Sequence, residues 1–300
     1  MPKTNPLSRL QVIGVRYAGS RFLGDRQRAL ETYLETGAYE AVGVPFDLTE
    51  PRMPPGTPEE DQEAALGALC GAIAGVVGRA RRGGKGVLMT GGNCHHATGV
   101  LGGLQDAHGA SARIGLLWFD AHGDFNTPRT TLSGCLGGMP VAVCAGLALP
   151  VWREGAHIAA PVPTDRIVMT DLRNLDPAEE TLIRATDVVV ADLVPGRPGP
   201  AFGQAVADLA ERVDMIYLHI DADILDAAYT PSHRTKEPGG PDMAQVLDAI
   251  ETVMATGKVV ALAVVSVYFE GGDADVDLTS GVLLVRGALA SWHRHGMPRV

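Results

Sequence analysis

Two short stretches carry more acid than a buried sheet can hold unaided. Asp120-Ala121-His122-Gly123-Asp124 follows the apolar run Ile114–Phe119, and Asp221-Ala222-Asp223 follows Met215–Ile220. Alternate residues of an extended chain point to one side, so Asp120, His122 and Asp124 converge, as do Asp221 and Asp223. Four carboxylates crowded at strand ends cannot all ionise without a counter-charge. A divalent cation supplies it, and a pair is more natural than one because bridging carboxylates serve both ions. A third apolar run, Gly86–Thr90, ends in Gly91-Gly92-Asn93-Cys94-His95-His96, which adds soft and borderline donors. The plain readings are a hydrogen-bonded turn for a lone Asp-x-His-x-Asp and a small buried residue for Cys94. Two acidic motifs on strand ends outweigh the first. Asp106-Ala107-His108-Gly109 repeats the first letters but reads as a surface loop.

Apolar runs alternating with helical stretches position these groups. Strands are expected at Leu10–Tyr17, Gly86–Thr90, Ile114–Phe119, Arg166–Thr170, Asp187–Leu193, Met215–Ile220 and Val259–Val267, with a weaker one near Ala41–Pro45. Their apolar character on both faces predicts a mostly parallel sheet covered by helices on each side. Thr57-Pro58-Glu59-Glu60 reads as a capping box opening a helix to about Arg81, and Asp176-Pro177-Ala178-Glu179 repeats that grammar. Further helices are expected at Pro200–Val213, Asp242–Ala255 and Thr279–Trp292. No low-complexity linker interrupts the chain, so one domain spanning 1–300 is expected, with ligands beyond the carboxyl ends of the strands.

The formal charge of −10 leaves no basic surface for nucleic acid or anionic membranes. The strongly apolar run Val259–Tyr268 is far short of the roughly 20 residues that span a bilayer. The N-terminus has no apolar signal core, which predicts a cytoplasmic protein with its four cysteines as thiols.

Gly91-Gly92-Asn93-Cys94, Trp118-Phe119-Asp120-Ala121-His122-Gly123-Asp124 and His219-Ile220-Asp221-Ala222-Asp223-Ile224-Leu225-Asp226, in this order, resemble the signature stretches of the ureohydrolases, the arginase and agmatinase family. The resemblance covers about residues 85 to 270. It implies a three-layer α/β/α fold with an eight-stranded parallel sheet and a dimanganese centre that makes a bridging hydroxide. Asp120 and Asp221 resemble the bridging ligands, Asp124 completes one ion's set and holds the hydroxide, and His122 and Asp223 complete the other's. Asn126, Thr131 and Ser133 resemble the arginase loop that holds an amino acid's α-carboxylate, which agmatinases lack. Asp176 and Glu179 are similar to the two acids that receive the α-ammonium group; their plain reading is a helix cap.

The departures bear on the substrate. Cys94 stands where the family has a histidine ligand, with His95 next door as the alternative. The family's proton-transfer histidine falls on Gly137, and its guanidinium-binding glutamate falls on Ser266. Glu270 is four residues on, and a strand advances roughly 13 Å over that distance. The resemblance therefore implies a binuclear hydrolase cleaving a C–N bond of a guanidino amino acid with a less basic head group. N-hydroxy-L-arginine, giving ornithine and hydroxyurea, fits; arginine, a guanidino acid or an N-formimidoyl amino acid are the other substrate readings. A metal-binding scaffold or regulator that has lost catalysis is the rival. The expected cofactors are two divalent ions, manganese first. The expected partners are a small guanidino amino acid and further copies of the chain.

Overall fold

The computed structural model describes residues 4–58, 60–193 and 200–299. Its centre is an eight-stranded sheet of β1 (Leu10–Val15), β2 (Phe46–Thr49), β3 (Gly86–Gly91), β4 (Ile114–Phe119), β5 (Ile167–Thr170), β6 (Val189–Ala191), β7 (Met215–Asp221) and β8 (Val259–Val265). The spatial order is 2-1-3-8-7-4-5-6, and every neighbouring pair is parallel. Alternate residues of the inner strands feed two separate cores. Leu117, Phe119, Leu218 and Val264 pack with helices α1 (Arg28–Glu35), α7 (Phe202–Arg212), α8 (Met243–Met254) and α9 (Ala274–His295). Leu116, Trp118, Tyr217 and Val265 pack on the other face with α2 (Gln62–Arg82), α3 (Ala97–His108), α4 (Pro140–Cys144) and α5 (Pro150–Gly155). These are the three layers that the doubly apolar runs require. A shorter helix, α6 (Pro177–Arg184), follows β5.

The connections explain where a site can form. After β3 and β4 the chain leaves toward the α3 and α4 face, whereas after β7 and β8 it leaves toward the α8 and α9 face. The loops diverge at adjacent strands β3, β8, β7 and β4, opening a crevice beyond their carboxyl ends.

Three expectations need correction. The weak strand near Ala41–Pro45 lies instead at Phe46–Thr49, an edge strand whose central residues are exposed, so it lacks the apolar pattern that marks the others. Helix α2 starts at Gln62 and not from the Thr57 box; Asp61 caps it by accepting the Ala64 N–H at 3.1 Å, and Glu59 lies outside the described residues. Asp106 and His108 form the last turn of α3 rather than a loop, and Asp106 meets His157 Nδ1 at 2.8 Å. Helix α2 is long and apolar enough to span a bilayer by length and composition, but it is mostly buried and packs against α3 and α5. All four cysteines are free.

Candidate metal centre

Each acidic motif is fixed by hydrogen bonds from its own and neighbouring loops. Trp118 Nε1 donates to Asp120 Oδ2 at 3.2 Å, and the His122 backbone N–H donates to Asp120 Oδ1 at 2.7 Å. The Asp223 N–H donates to Asp221 Oδ1 at 3.0 Å, and the Ala121 N–H reaches across to Asp223 Oδ1 at 3.3 Å. Arg173, buried and 2.5 Å from Asp171 Oδ2, donates to the carbonyls of Asp223, Ile224 and Leu225 and so pins the β7 loop to the β5 loop. Asp124 has a left-handed backbone (φ 47°), and Glu179 holds the turn after it by accepting the Phe125 N–H at 2.8 Å.

The side chains converge into three overlapping donor groups, each with its ligand atoms within 4.8 Å of one another: Cys94, Asp120 and Asp221; Asp120, His122 and Asp223; Asp221, Asp223 and His233. Each of the three aspartates belongs to two groups, as bridging requires. His122 Nδ1 lies 3.3 Å from Asp120 Oδ1 and 3.2 Å from Asp223 Oδ2. Cys94 Sγ donates to Asp221 Oδ2 at 2.9 Å. Asp124 lines the same cavity without joining a donor group, and His95 is turned toward Asn93 Oδ1 (2.9 Å) and stacked on Trp152. Of the two residues offered by the first motif, Cys94 is the one placed among the acids.

The charge balance calls for a cation. Burial, then the neighbouring aspartates, push the Asp120 and Asp124 carboxyls well above the usual range. Burial works against a charge on His122, yet Asp120 and Asp223 outweigh it and push its pKa up to about 12. Burial likewise opposes ionisation of Asp221, but His233 more than offsets this and holds that carboxyl low. Burial, then Asp221, Asp124 and Asp120, raise the Cys94 thiol far above its ordinary value. The cluster draws protons onto imidazoles because it holds more negative charge than its surroundings neutralise, and a divalent ion suits that deficit.

Above these groups is a cavity of about 340 Å³. Of the residues expected to contact substrate, Asn126, Ser133, Asp176 and Glu179 line it, while Thr131 lies behind, 3.4 Å from Ser133 Oγ and accepting the Gly134 N–H. Asp176 Oδ2 accepts from Asn126 Nδ2 at 3.3 Å and from the Leu132 N–H at 2.9 Å. Glu179 Oε2 accepts the Asp176 N–H at 3.2 Å, so both its oxygens are engaged by backbone. Ser266 lines the wall and Glu270 is exposed beyond it. A Cβ on Gly137 would lie 3.1 Å from the His95 ring, so His95 fills the space beside that glycine. The sequence reading missed His233, Thr235 and Tyr268, which line the cavity, and Glu237, 3.7 Å from His122 Nε2. The signal available was the Thr230-Pro231-Ser232-His233 stretch soon after the third motif.

Comparison with known proteins places the chain. The Arginase family model matches residues 22–274. The chain belongs to the arginase family. Within it, the arginase of Bacillus caldovelox is 30% identical over 171 residues, covering 56% of this chain and 56% of that one. The N(omega)-hydroxy-L-arginine amidinohydrolase of Streptomyces lavendulae is 38% identical over 140 residues, covering 47% and 46%. This arginase-family chain thus spans about half the length of these curated relatives. The fold is shared with the solved arginase of Bacillus cereus, with a TM-score of 0.78, 23% identity, and coverage of 94% of this chain and 98% of that one.

Proposed function

We propose that this arginase-family chain is a metal-dependent amidinohydrolase that cleaves a C–N bond of a modified guanidino amino acid, with N-hydroxy-L-arginine as the substrate that fits best. The observation that carries the reading is the cavity's composition: a floor of shared metal donors, and a wall at Ser266 that offers a hydroxyl where a guanidinium would need a carboxylate. Two divalent ions held by Asp120, His122, Asp124, Asp221 and Asp223, with Cys94 or another nearby donor, would supply a nucleophile drawn from water and stabilise charge on the attacked carbon. A donor set made mostly of carboxylate oxygens suits manganese.

The chain's own residues orient the substrate. Asn126 and Ser133 address the α-carboxylate from the loop beside Asp124, and Thr131 braces Ser133. Asp176 is the acid that meets the α-ammonium group, with Glu179 fixing its backbone. Burial, then His96, pushes His95 down to about 3, so a neutral ring faces the head group beside Gly137. An N-hydroxy substituent withdraws electron density, and the less basic head group suits a wall without a carboxylate. Water adds to the guanidine carbon, the bond to the side-chain nitrogen breaks, and ornithine and hydroxyurea leave.

The test is a panel of guanidino, hydroxyguanidino and formimidoyl compounds assayed with added manganese. N-hydroxy-L-arginine should be turned over fastest. Agmatine turned over faster than every amino acid would overturn the substrate class, and no turnover of any compound would favour the scaffold reading.

A further inference from the structure

His233 comes from the irregular segment after β7, outside every strand-end motif, yet it enters the metal centre. The residue is 3% exposed, and its Nε2 is buried without a hydrogen-bond partner. That atom lies 3.4 Å from Asp221 Oδ1, while Nδ1 lies 3.7 Å from Asp223 Oδ2. Tyr268 holds the ring edge-on at 4.6 Å between centroids, and Thr235 sets its other edge, with Oγ1 and the backbone N–H each 3.3 Å from Nδ1. A buried imidazole nitrogen without a well-formed hydrogen bond is a position that a ligand would satisfy.

We propose that His233 is a metal ligand, and that one of the two ions sits in the Asp221–Asp223–His233 group rather than on Cys94. This rests on the metal-dependent reading above and deepens it. Three observations favour the imidazole. Cys94 already donates its proton to Asp221 Oδ2 at 2.9 Å, so ligation would require that proton to leave. A thiolate would add a fifth negative charge to four aspartates that two divalent ions already balance. Sulfur is also the poorer match for a manganese-type ion, being a softer donor than imidazole nitrogen. The Thr235 N–H donates to Nδ1 at 3.3 Å, so ligation through Nε2 displaces a proton there, which an imidazole gives up more readily than a thiol does.

Binding of Co²⁺ and Mn²⁺ to the metal-depleted full chain tests this without any substrate. The unmutated protein should take two ions per chain, and its Co²⁺ form should show no thiolate-to-cobalt charge-transfer band in the near ultraviolet. Cys94→Ser should keep both ions, and His233→Ala should keep one, with the affinity for the other falling at least tenfold. A thiolate band in the unmutated Co²⁺ form, or two tight ions in His233→Ala, would overturn the proposal while leaving the metal centre standing. No ion bound to the unmutated protein would overturn the metal-dependent reading itself. The spectrum of the unmutated protein decides against Cys94 or for it even where a variant fails to fold.

Discussion

Asp221 meets Cys94, His233 and the Asp223 backbone at once. Asp120 is similarly shared between Cys94 and His122. Removing either should cost at least one ion: metal analysis of Asp120→Ala and Asp221→Ala should find no more than one per chain, and two in either variant would contradict the sharing. At the other end of the cavity, Asn126 is held by Thr130, whose Oγ1 donates to Asn126 Oδ1 at 2.8 Å, and by Asp176. Loss of one charge-assisted hydrogen bond, about 1.5–3 kcal/mol, should raise KM of Asn126→Ala for the amino acid substrate roughly tenfold or more. KM for a decarboxylated analogue should stay unchanged; equal effects on both would remove Asn126 from carboxylate binding. Asp120, His122, Asp221 and Asp223 were legible in the sequence because two acidic motifs follow unbroken apolar runs, although only Asp221 lies in a strand; Asp223 sits in the 3-10 turn Ala222–Ile224, and Asp124, with its left-handed backbone, lines the cavity outside the donor groups. His233 was not legible, because a residue in an irregular segment has no period to say where its side chain goes.

Among the elements, the loops after β5 and β7 are stitched by one guanidinium. Arg173 has side-chain exposure of 5% and serves Asp171 together with the carbonyls after Asp221. Arg173→Met should destabilise the protein by about 1–3 kcal/mol, since it removes the donor to the carbonyls of Asp223, Ile224 and Leu225 and one ion-pair contact of Asp171, and should loosen metal binding through Asp223. Thermal denaturation and a manganese titration check this; a change below about 1 kcal/mol would show the contact to be marginal. Strands such as Ile114–Phe119 were readable because burial on both faces leaves an unbroken apolar run. Phe46–Thr49 was not, because an edge strand with exposed Asp47 and Leu48 resembles a loop. The α2 start was misplaced because Thr57-Pro58 and Asp61 both satisfy capping grammar, and only the hydrogen bond from Ala64 chooses between them.

Over the whole molecule, a fully parallel sheet whose loops diverge between β3, β8, β7 and β4 gathers the acids of β4 and β7 beside Cys94 of the β3 loop and Ser266 at the end of β8. On the proposed reading the floor of the cavity keeps its shared candidate metal donors, while Ser266 offers a hydroxyl where the family resemblance implies a carboxylate. That combination predicts retained hydrolysis with altered substrate preference. The most direct test loads the metal-depleted chain with two equivalents of manganese and follows N-hydroxy-L-arginine by product analysis. Ornithine and hydroxyurea should appear in equal amounts, faster than arginine yields urea, and both should vanish when the metal is withdrawn. A chain holding two manganese ions that releases neither product, from this or any guanidino amino acid, would contradict the account.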